Sequence, residues 1–132
     1  LEATAQALRG VEGCTGKVGS VGFCLGGRLA FLTATRTSID AAVGYYGVML
    51  PDHTGEDLKA PVLLHIPTED EFVPKDQQAA VHAALDGNPK ATLYDYEGQD
   101  HAFARVGGKH YDKASADLAL QRSLDFFKNT IG

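Results

Sequence analysis

A cysteine at a glycine-rich turn is the residue whose position most strongly suggests chemistry. The segment GFCLGG places Cys24 between Gly22 and Gly26, after a short apolar run and before a segment of helical composition. A strand that turns sharply into a helix forces its apex residue toward positive φ, and a Cβ at either flanking glycine would crowd the turn. This is the pattern of a nucleophile elbow, in which the helix N-terminus favours the reactive thiolate. Cys24 is therefore a candidate nucleophile, and the backbone N–H of Leu25 is a candidate oxyanion-hole donor.

Two later segments supply the groups that such a nucleophile needs. PTEDEFVP places Asp70 after the third predicted strand, and EGQDHAFAR places His101 after the fourth. Loops at the carboxyl ends of parallel strands lie on the same edge of a sheet as the elbow. The chain order Cys24, Asp70, His101 is also the nucleophile, acid, histidine order of α/β hydrolases. The sequence therefore predicts His101 as the base and Asp70 as the acid that orients it.

Each of these residues, taken alone, has a simpler interpretation. Cys24 can be a buried apolar cysteine, Asp70 can cap the helix that begins near Val73, and His101 can be a surface histidine. A dinucleotide-binding loop is disfavoured, because the glycines around the turn do not form GxGxxG. Three coincidences in the right order are much rarer than any one of them, so the spacing favours a catalytic triad.

The elements that would position these residues alternate between strand and helix. Strands are predicted over residues 17–23, 41–47, 61–66 and 91–97, and helices over 1–10, 25–36, a segment after Pro74, and 115–130. The third strand is a nearly continuous apolar run, which is typical of parallel strands covered on both faces. The last helix carries Leu120, Leu124, Phe127 and Ile131 along one side. We therefore expect one α/β domain over residues 1–132, with a mainly parallel sheet and flanking helices.

Composition and charge exclude several classes of function. The 132 residues carry 12 basic and 17 acidic side chains, for a net charge of −5, which disfavours nucleic acid and anionic membranes as partners. Neither a transmembrane run nor a signal peptide is recognisable, so we expect a cytoplasmic protein.

The remaining cysteine and histidines point to no metal or redox centre. Cys14 and Cys24 form no CxxC pair, and Cys14 is expected to be unpaired and structural. The histidines other than His101 lack metal-ligand spacing, and Asp and Glu do not cluster with them in ligand patterns. His65 lies on a buried strand and is expected to pack in the core. The sequence therefore predicts no metal site.

Together GFCLGG, EDEFVP and HAFAR resemble the dienelactone hydrolase (carboxymethylenebutenolidase) family of the α/β-hydrolase fold. AVGYYG is similar to the family's strand after the elbow helix. The resemblance implies that Cys24 is the nucleophile, Asp70 the acid and His101 the base. It further implies that Arg105 grips a substrate carboxylate, a role suited to the guanidinium fork. Phe103 and Tyr46 are candidates to line the substrate pocket, although core packing explains each equally well.

The reaction implied by this resemblance is hydrolysis of dienelactone to maleylacetate. The thiolate would open the ring to an acyl-thioester, the enolate leaving group would take up a proton, and water assisted by His101 would release the product. No metal or organic cofactor is needed. Two alternatives stay open: a broader carboxylesterase or thioesterase, and a non-catalytic subunit that completes a sheet with another chain.

The sequence departs from the family in length. The match begins at the helix before the elbow strand, so we expect an α/β-hydrolase-like fold without its N-terminal strands. The elbow strand would then be an edge that invites pairing with a second copy or a complementing chain. A second oxyanion donor has no counterpart here, and losing one donor typically slows turnover by ~100-fold. We therefore expect the isolated chain to be a weak catalyst.

Overall fold

The computed structural model describes all of residues 1–132, and it confirms the predicted alternation of strands and helices. The strands are β1 (Gly19–Phe23), β2 (Ala41–Tyr45), β3 (Val62–Pro67) and β4 (Ala91–Tyr96), and the helices are α1 (Glu2–Arg9), α2 (Leu25–Arg36), α3 (Lys75–Leu85) and α4 (Lys113–Thr130). The expected loop after β2 contains one short 3-10 turn at Leu50–Asp52. None of the four helices combines the length and the apolar character that crossing a membrane requires.

The four strands form one fully parallel sheet in the order β1-β2-β3-β4. Phe23 at the end of β1 pairs with Tyr45, and Pro67 at the end of β3 pairs with Tyr96. This register places the carboxyl ends of all four strands along one side of the sheet. The loops that carry the predicted catalytic residues all leave from that side.

Alternating side chains along the strands fill two apolar layers. Val62, Leu64 and Ile66 of β3 contribute to the larger layer, together with side chains of α2 and α3. Val43 of β2 and Leu63 of β3 point the other way, into a smaller layer closed by α4. Because successive residues of a strand face opposite sides, a nearly continuous apolar run is what a doubly covered strand needs.

Strand β1 lies at the edge of this sheet, as the sequence predicts. It pairs only with β2, and its outer edge is open. Val21 and Phe23 are about half exposed, at 54% and 50%. An open edge with apolar side chains is a surface on which another strand can pair.

Helix α4 packs through a different face from the one that its leucines indicate. The side chain of Asp112 accepts a hydrogen bond from the N–H of Ser115 at 2.9 Å and caps the helix start. The buried residues of the helix are Ala119 and Ser123, whereas Leu120 and Leu124 are 54% and 55% exposed. The apolar side predicted for this helix is therefore exposed at Leu120 and Leu124, whereas Phe127 of the same side packs against the smaller layer. Small side chains let the helix approach the sheet closely, which turns the leucines outward.

Candidate active site

The turn after β1 has the strained geometry predicted for a nucleophile elbow. Cys24 has φ of 57° and ψ of −120°, and its N–H donates to the carbonyl of Tyr45 at 3.0 Å. A Cβ on Gly22 would lie 1.9 Å from the carbonyl oxygen of Gly26, so position 22 admits only glycine. A Cβ on Gly26 would meet nothing within 4 Å, and the expectation that both flanking glycines relieve crowding is wrong for Gly26. The second crowded position is Gly27, where a Cβ would lie 2.7 Å from the Tyr45 carbonyl oxygen.

The first turn of α2 leaves a backbone donor free beside the thiol. The N–H groups of Gly27 and Arg28 both donate to the carbonyl of Cys24. Leu25 opens the helix, where N–H groups have no partner in the preceding turn. Its N–H makes no hydrogen bond within the protein, which is the state that an oxyanion-hole donor requires.

Asp70 and His101 meet in a buried contact. The Nδ1 atom of His101 lies 3.0 and 3.1 Å from the two carboxylate oxygens of Asp70. The side chains are only 8% and 1% exposed. The N–H of Phe72 donates to Asp70 at 2.9 Å, which fixes the carboxylate. The Nε2 atom of His101 makes no hydrogen bond within the protein, so one ring nitrogen is held and the other is free to move a proton.

One open cavity joins the thiol to this pair. Its volume is about 510 Å³, and Cys24, His101 and Arg105 line it together with Tyr46 and Phe72. The ring of Phe72 meets that of His101 edge-on at 4.8 Å between centroids. The structure therefore brings Cys24 and His101 to one cavity, with Asp70 behind the imidazole.

Backbone strain is concentrated at this cavity. Besides Cys24, Tyr46 and Ala102 line it with positive φ values of 39° and 63°. Met49 is the only other residue with a side chain beyond hydrogen in that region of φ. Such conformations typically cost ~1–3 kcal/mol each and occur most often at functional sites.

The two aromatic candidates occupy different environments. Tyr46 lines the cavity, and its ring lies 5.1 Å from that of His101. Burial, with smaller contributions from Tyr45 and Cys24, raises the pKa of Tyr46 to about 12 and keeps its hydroxyl protonated. Phe103 is fully buried and does not line the cavity. It packs against Tyr46 at 5.7 Å, so core packing, the alternative interpretation, describes its position.

Arg105 presents an unpaired positive charge to the cavity. It is exposed, and no carboxylate lies within ion-pair distance of its guanidinium. An unpaired guanidinium at the rim is available to an anionic ligand.

His65 is a packed core residue, as predicted, but a strongly hydrogen-bonded one. It is 1% exposed, with Nδ1 2.7 Å from the hydroxyl of Tyr96 and Nε2 2.8 Å from that of Ser123. Ser123 also donates to the carbonyl of Ala119 and lies 2.8 Å from the hydroxyl of Tyr45. We call these four side chains, His65, Tyr45, Tyr96 and Ser123, the hydroxyl cluster. Cys14, half-buried, forms no disulfide.

A third group of polar residues lies on the loops that carry Asp70 and His101. Glu71, Asp100 and His110 place one potential ligand atom each within 4.8 Å of one another. The prediction that Asp and Glu do not cluster with the other histidines in ligand patterns is therefore wrong for His110. Burial disfavours ionisation of Asp100, but the N–H groups of Glu71 and His101 outweigh it and hold the pKa of that carboxyl below its ordinary value. Sequence spacing misses this group because its members come from two loops.

Comparison with known proteins identifies consistent relatives. The sequence profile described as the dienelactone hydrolase family matches residues 1–131. A carboxymethylenebutenolidase from Pseudomonas putida is 41% identical over 128 residues, which cover 96% of this chain and 54% of the relative. A carboxymethylenebutenolidase from Cupriavidus pinatubonensis is 31% identical over 127 residues, which cover 95% and 54%. This chain thus spans about half the length of the curated relatives it matches.

Solved structures show the same architecture. A Klebsiella pneumoniae protein assigned as a dienelactone hydrolase superposes with a TM-score of 0.82 at 29% identity, covering 96% of this chain and 57% of the other. A puromycin-hydrolysing peptidase from Mycobacterium tuberculosis superposes with a TM-score of 0.72 at 22% identity, covering 98% and 25%. The second likeness concerns the fold alone. The sheet and helices described above are thus part of an α/β-hydrolase fold.

Proposed function

The chain belongs to the dienelactone hydrolase family, and we propose that it is a cysteine-dependent hydrolase of small carboxylated enol-lactones, opening dienelactone to maleylacetate. The observation that carries this proposal is the buried contact between Asp70 and His101 beside the cavity that Cys24 lines. A held imidazole that lines the same cavity as a thiol at a strained elbow is an arrangement suited to acyl transfer.

The proposed reaction uses these groups in two steps. Asp70 fixes the ring of His101 through Nδ1, so Nε2 takes the thiol proton as sulfur attacks the lactone carbonyl. The ring C–O bond breaks, the enolate oxygen takes the proton, and an acyl-thioester remains on Cys24. Water then gives a proton to His101 and attacks the thioester, releasing the acid and restoring the thiol. The N–H of Leu25 stabilises the oxyanion in both steps.

The test compares dienelactone with a neutral aryl ester on the purified protein and its Cys24→Ser variant. We expect turnover of both substrates by the native chain, a loss of ~100-fold or more in the variant, and a mass increase of one acyl group on Cys24 in quenched samples. Cys14→Ser is the matched control, because it removes the other free thiol and should leave turnover unchanged. Acylation of Cys14, or full activity without Cys24, contradicts the proposal.

The charge of Arg105 separates the lactone hydrolase from a broader esterase or thioesterase. Its unpaired guanidinium at the cavity favours an acidic substrate. Arg105→Met should lower kcat/KM for dienelactone by ~10–100-fold, the size of a lost charge-assisted pair, and should lower it much less for the neutral ester. Lys109→Met removes an exposed positive charge from the same loop and should change neither. Equal losses on both substrates favour the broader esterase.

We further propose that the open edge of β1 pairs with a second copy or a complementing chain, and that turnover by the isolated chain is weak until it does. The open edge and the half-exposed Val21 and Phe23 support this proposal. Sedimentation measured together with activity tests it: activity should rise with the associated fraction. A fully active monomer contradicts it, and an inactive protein with a slow, ordinary Cys24 thiol favours the non-catalytic subunit.

A further inference from the structure

One carboxylate oxygen connects the two loops that carry Asp70 and His101. Asp100 directly precedes His101, and its Oδ1 atom accepts the N–H of His101 at 2.6 Å. The same atom accepts the N–H of Glu71, the residue after Asp70, at 2.9 Å. The two donors belong to the loops after β4 and after β3. A single acceptor therefore holds the backbone beside both members of the buried pair.

We propose that Asp100 is a positioning residue, which sets the distance between Asp70 and His101 by holding both loops on one oxygen. This inference rests on the proposed function of the Cys24, His101 and Asp70 side chains, and it assigns Asp100 no contact with the substrate. Asp100 does not line the cavity. It acts only through the backbone on either side of the pair.

The geometry of the pair explains why such a connection is needed. The contact between His101 and Asp70 is 3.0 Å long and nearly excluded from water, so a small shift of either loop breaks it. The residue after His101 is Ala102, with φ of 63°, a conformation that relaxes unless its surroundings hold it. Fixing the N–H of His101 holds the chain at the start of this strained turn. A misplacement of about 1 Å at a reacting centre can lower the rate by ~100-fold.

Other contacts hold Asp100 in the position from which it accepts these two hydrogen bonds. The backbone N–H of Glu69 donates to the carbonyl of Gln99 at 2.9 Å, which joins the two loops again two residues before Glu71 and one residue before Asp100. The second oxygen of Asp100 lies 3.5 Å from Nε2 of His110. One oxygen of Asp100 therefore faces the two backbone N–H groups, and the other faces the imidazole of His110. Its side chain is 26% exposed, so we expect Asp100 to hold the loops through the positions of its hydrogen bonds and not through burial of its carboxylate.

The first test separates the acceptor from the charge. Asp100→Asn keeps a carbonyl oxygen that accepts both N–H groups, whereas Asp100→Ala removes the acceptor. With a neutral aryl ester, Asp100→Ala should lower the maximal rate of Cys24 acylation by ~10-fold or more and leave the half-saturating ester concentration within about twofold, since nothing that contacts the ester has changed. Asp100→Asn should restore most of the rate. Asp95→Ala is the matched control, because it removes an exposed carboxylate that contacts His82 on α3, and it should leave the rate unchanged.

A second measurement does not depend on activity. Amide hydrogen exchange at Glu71 and His101 should accelerate by ~10-fold or more in Asp100→Ala, because both N–H groups lose their acceptor, and should stay near the native rate in Asp100→Asn. Thermal unfolding shows whether Asp100→Ala keeps the fold. If it does not, Asp100→Ser replaces it, and the same losses at reduced size are expected.

The outcomes are distinguishable from those for the proposed function. Native acylation and native exchange in the variant without an acceptor overturn the assignment of Asp100, and so does an asparagine variant as impaired as the alanine variant. If Cys24→Ser and His101→Asn leave acylation unchanged, the proposed function fails, while exchange at Glu71 and His101 still shows whether Asp100 holds the loops.

Discussion

Two buried histidines lie close to the same end of the sheet and are held in opposite ways. His65, on β3, has a hydroxyl on each ring nitrogen and is 1% exposed. His101, after β4, is 6% exposed and has a carboxylate on one nitrogen and the open cavity at the other. Burial is therefore similar in the two, and only the second has a nitrogen left for a ligand. The number of free ring nitrogens, and not burial, separates a structural histidine from a candidate base.

The hydroxyl cluster also fixes where its protons lie. Ser123 donates to the carbonyl of Ala119, so it accepts from the hydroxyl of Tyr45 and from Nε2–H of His65. The Nδ1 atom of His65 then accepts from Tyr96. Every proton has a partner when the ring is neutral, and no site remains for a second ring proton. Burial, and then the positive charge of Arg122, accordingly lowers the pKa of His65 to about 3.

The largest difference between the two histidines should appear in turnover. His101→Asn keeps a side-chain N–H that can reach Asp70 but removes the second ring nitrogen. We expect ester hydrolysis to fall by ~1000-fold or more and the free energy of unfolding to change by no more than about 1 kcal/mol. Steady-state kinetics and urea unfolding measure the two effects. Retention of a tenth of the native rate would exclude His101 as the base.

The opposite result is expected for His65. His65→Leu leaves the buried hydroxyl of Tyr96 without an acceptor and removes one of the three hydrogen bonds of Ser123, so the free energy of unfolding should fall by ~2–3 kcal/mol. Turnover per folded molecule should stay within a few-fold of native, because the ring does not line the cavity that Cys24 and His101 share. Urea unfolding with an activity assay on the folded fraction checks this. An unchanged free energy of unfolding would mean that the hydrogen bonds of His65 in the hydroxyl cluster do not stabilise the fold.

The low pKa of His65 also predicts a pH dependence of stability. Below the ordinary histidine pKa of 6.5, His65 is protonated in the unfolded chain, whereas in the folded chain it stays neutral down to about pH 3. The stabilisation is therefore complete above pH 6.5 and is lost as the pH falls toward 3, with a slope of up to ~1.4 kcal/mol per pH unit. Urea unfolding between pH 6.5 and 4.5 should show a steeper loss in the native protein than in His65→Leu. Equal slopes would indicate that His65 has an ordinary pKa in the folded protein.

The smallest effect should come from one hydroxyl of the cluster. Tyr45→Phe keeps the ring and removes a single hydrogen bond to Ser123, which should lower the free energy of unfolding by ~1 kcal/mol. Tyr94→Phe is the matched control on β4 of the same sheet, because its hydroxyl has no hydrogen-bond partner in the protein. Equal unfolding midpoints for the two variants would show that the Tyr45 hydrogen bond adds no stability.

The sequence could predict those features of the fold and the site that are determined by residues close together in the chain. The strands and helices can be predicted from apolar periodicity and from the positions of Gly and Pro. Parallel strands place their carboxyl ends on one side of the sheet. The shared location of Cys24, Asp70 and His101 therefore follows from their positions after successive strands. The catalytic roles of these residues stay predictions. The core position of His65 likewise follows from the apolar run around it, and its burial confirms that position.

The parts that sequence did not predict arise from contacts between distant elements. The hydrogen-bond partners of His65 come from β4 and α4. The acceptor role of Asp100 needs the N–H of Glu71, which belongs to the loop after β3. Helix α4 gives the clearest error, because periodicity identifies an apolar stripe but not the surface that covers it. Phe127 of that stripe packs against the core, but Leu120 and Leu124 are exposed, and Ala119 and Ser123 are buried in their place.

The left-handed residues around the cavity limit how far this protein can be made heat-resistant without harm. Replacing Ala102 by glycine would relieve a torsion of 63° and release up to ~1 kcal/mol. The same freedom would loosen the turn that directs the imidazole. Selection for thermal tolerance would therefore find its easiest gains at positions where each gain disturbs the alignment of the candidate catalytic groups. The torsion angles that lower the stability of the fold are therefore the same ones that position the cavity side chains.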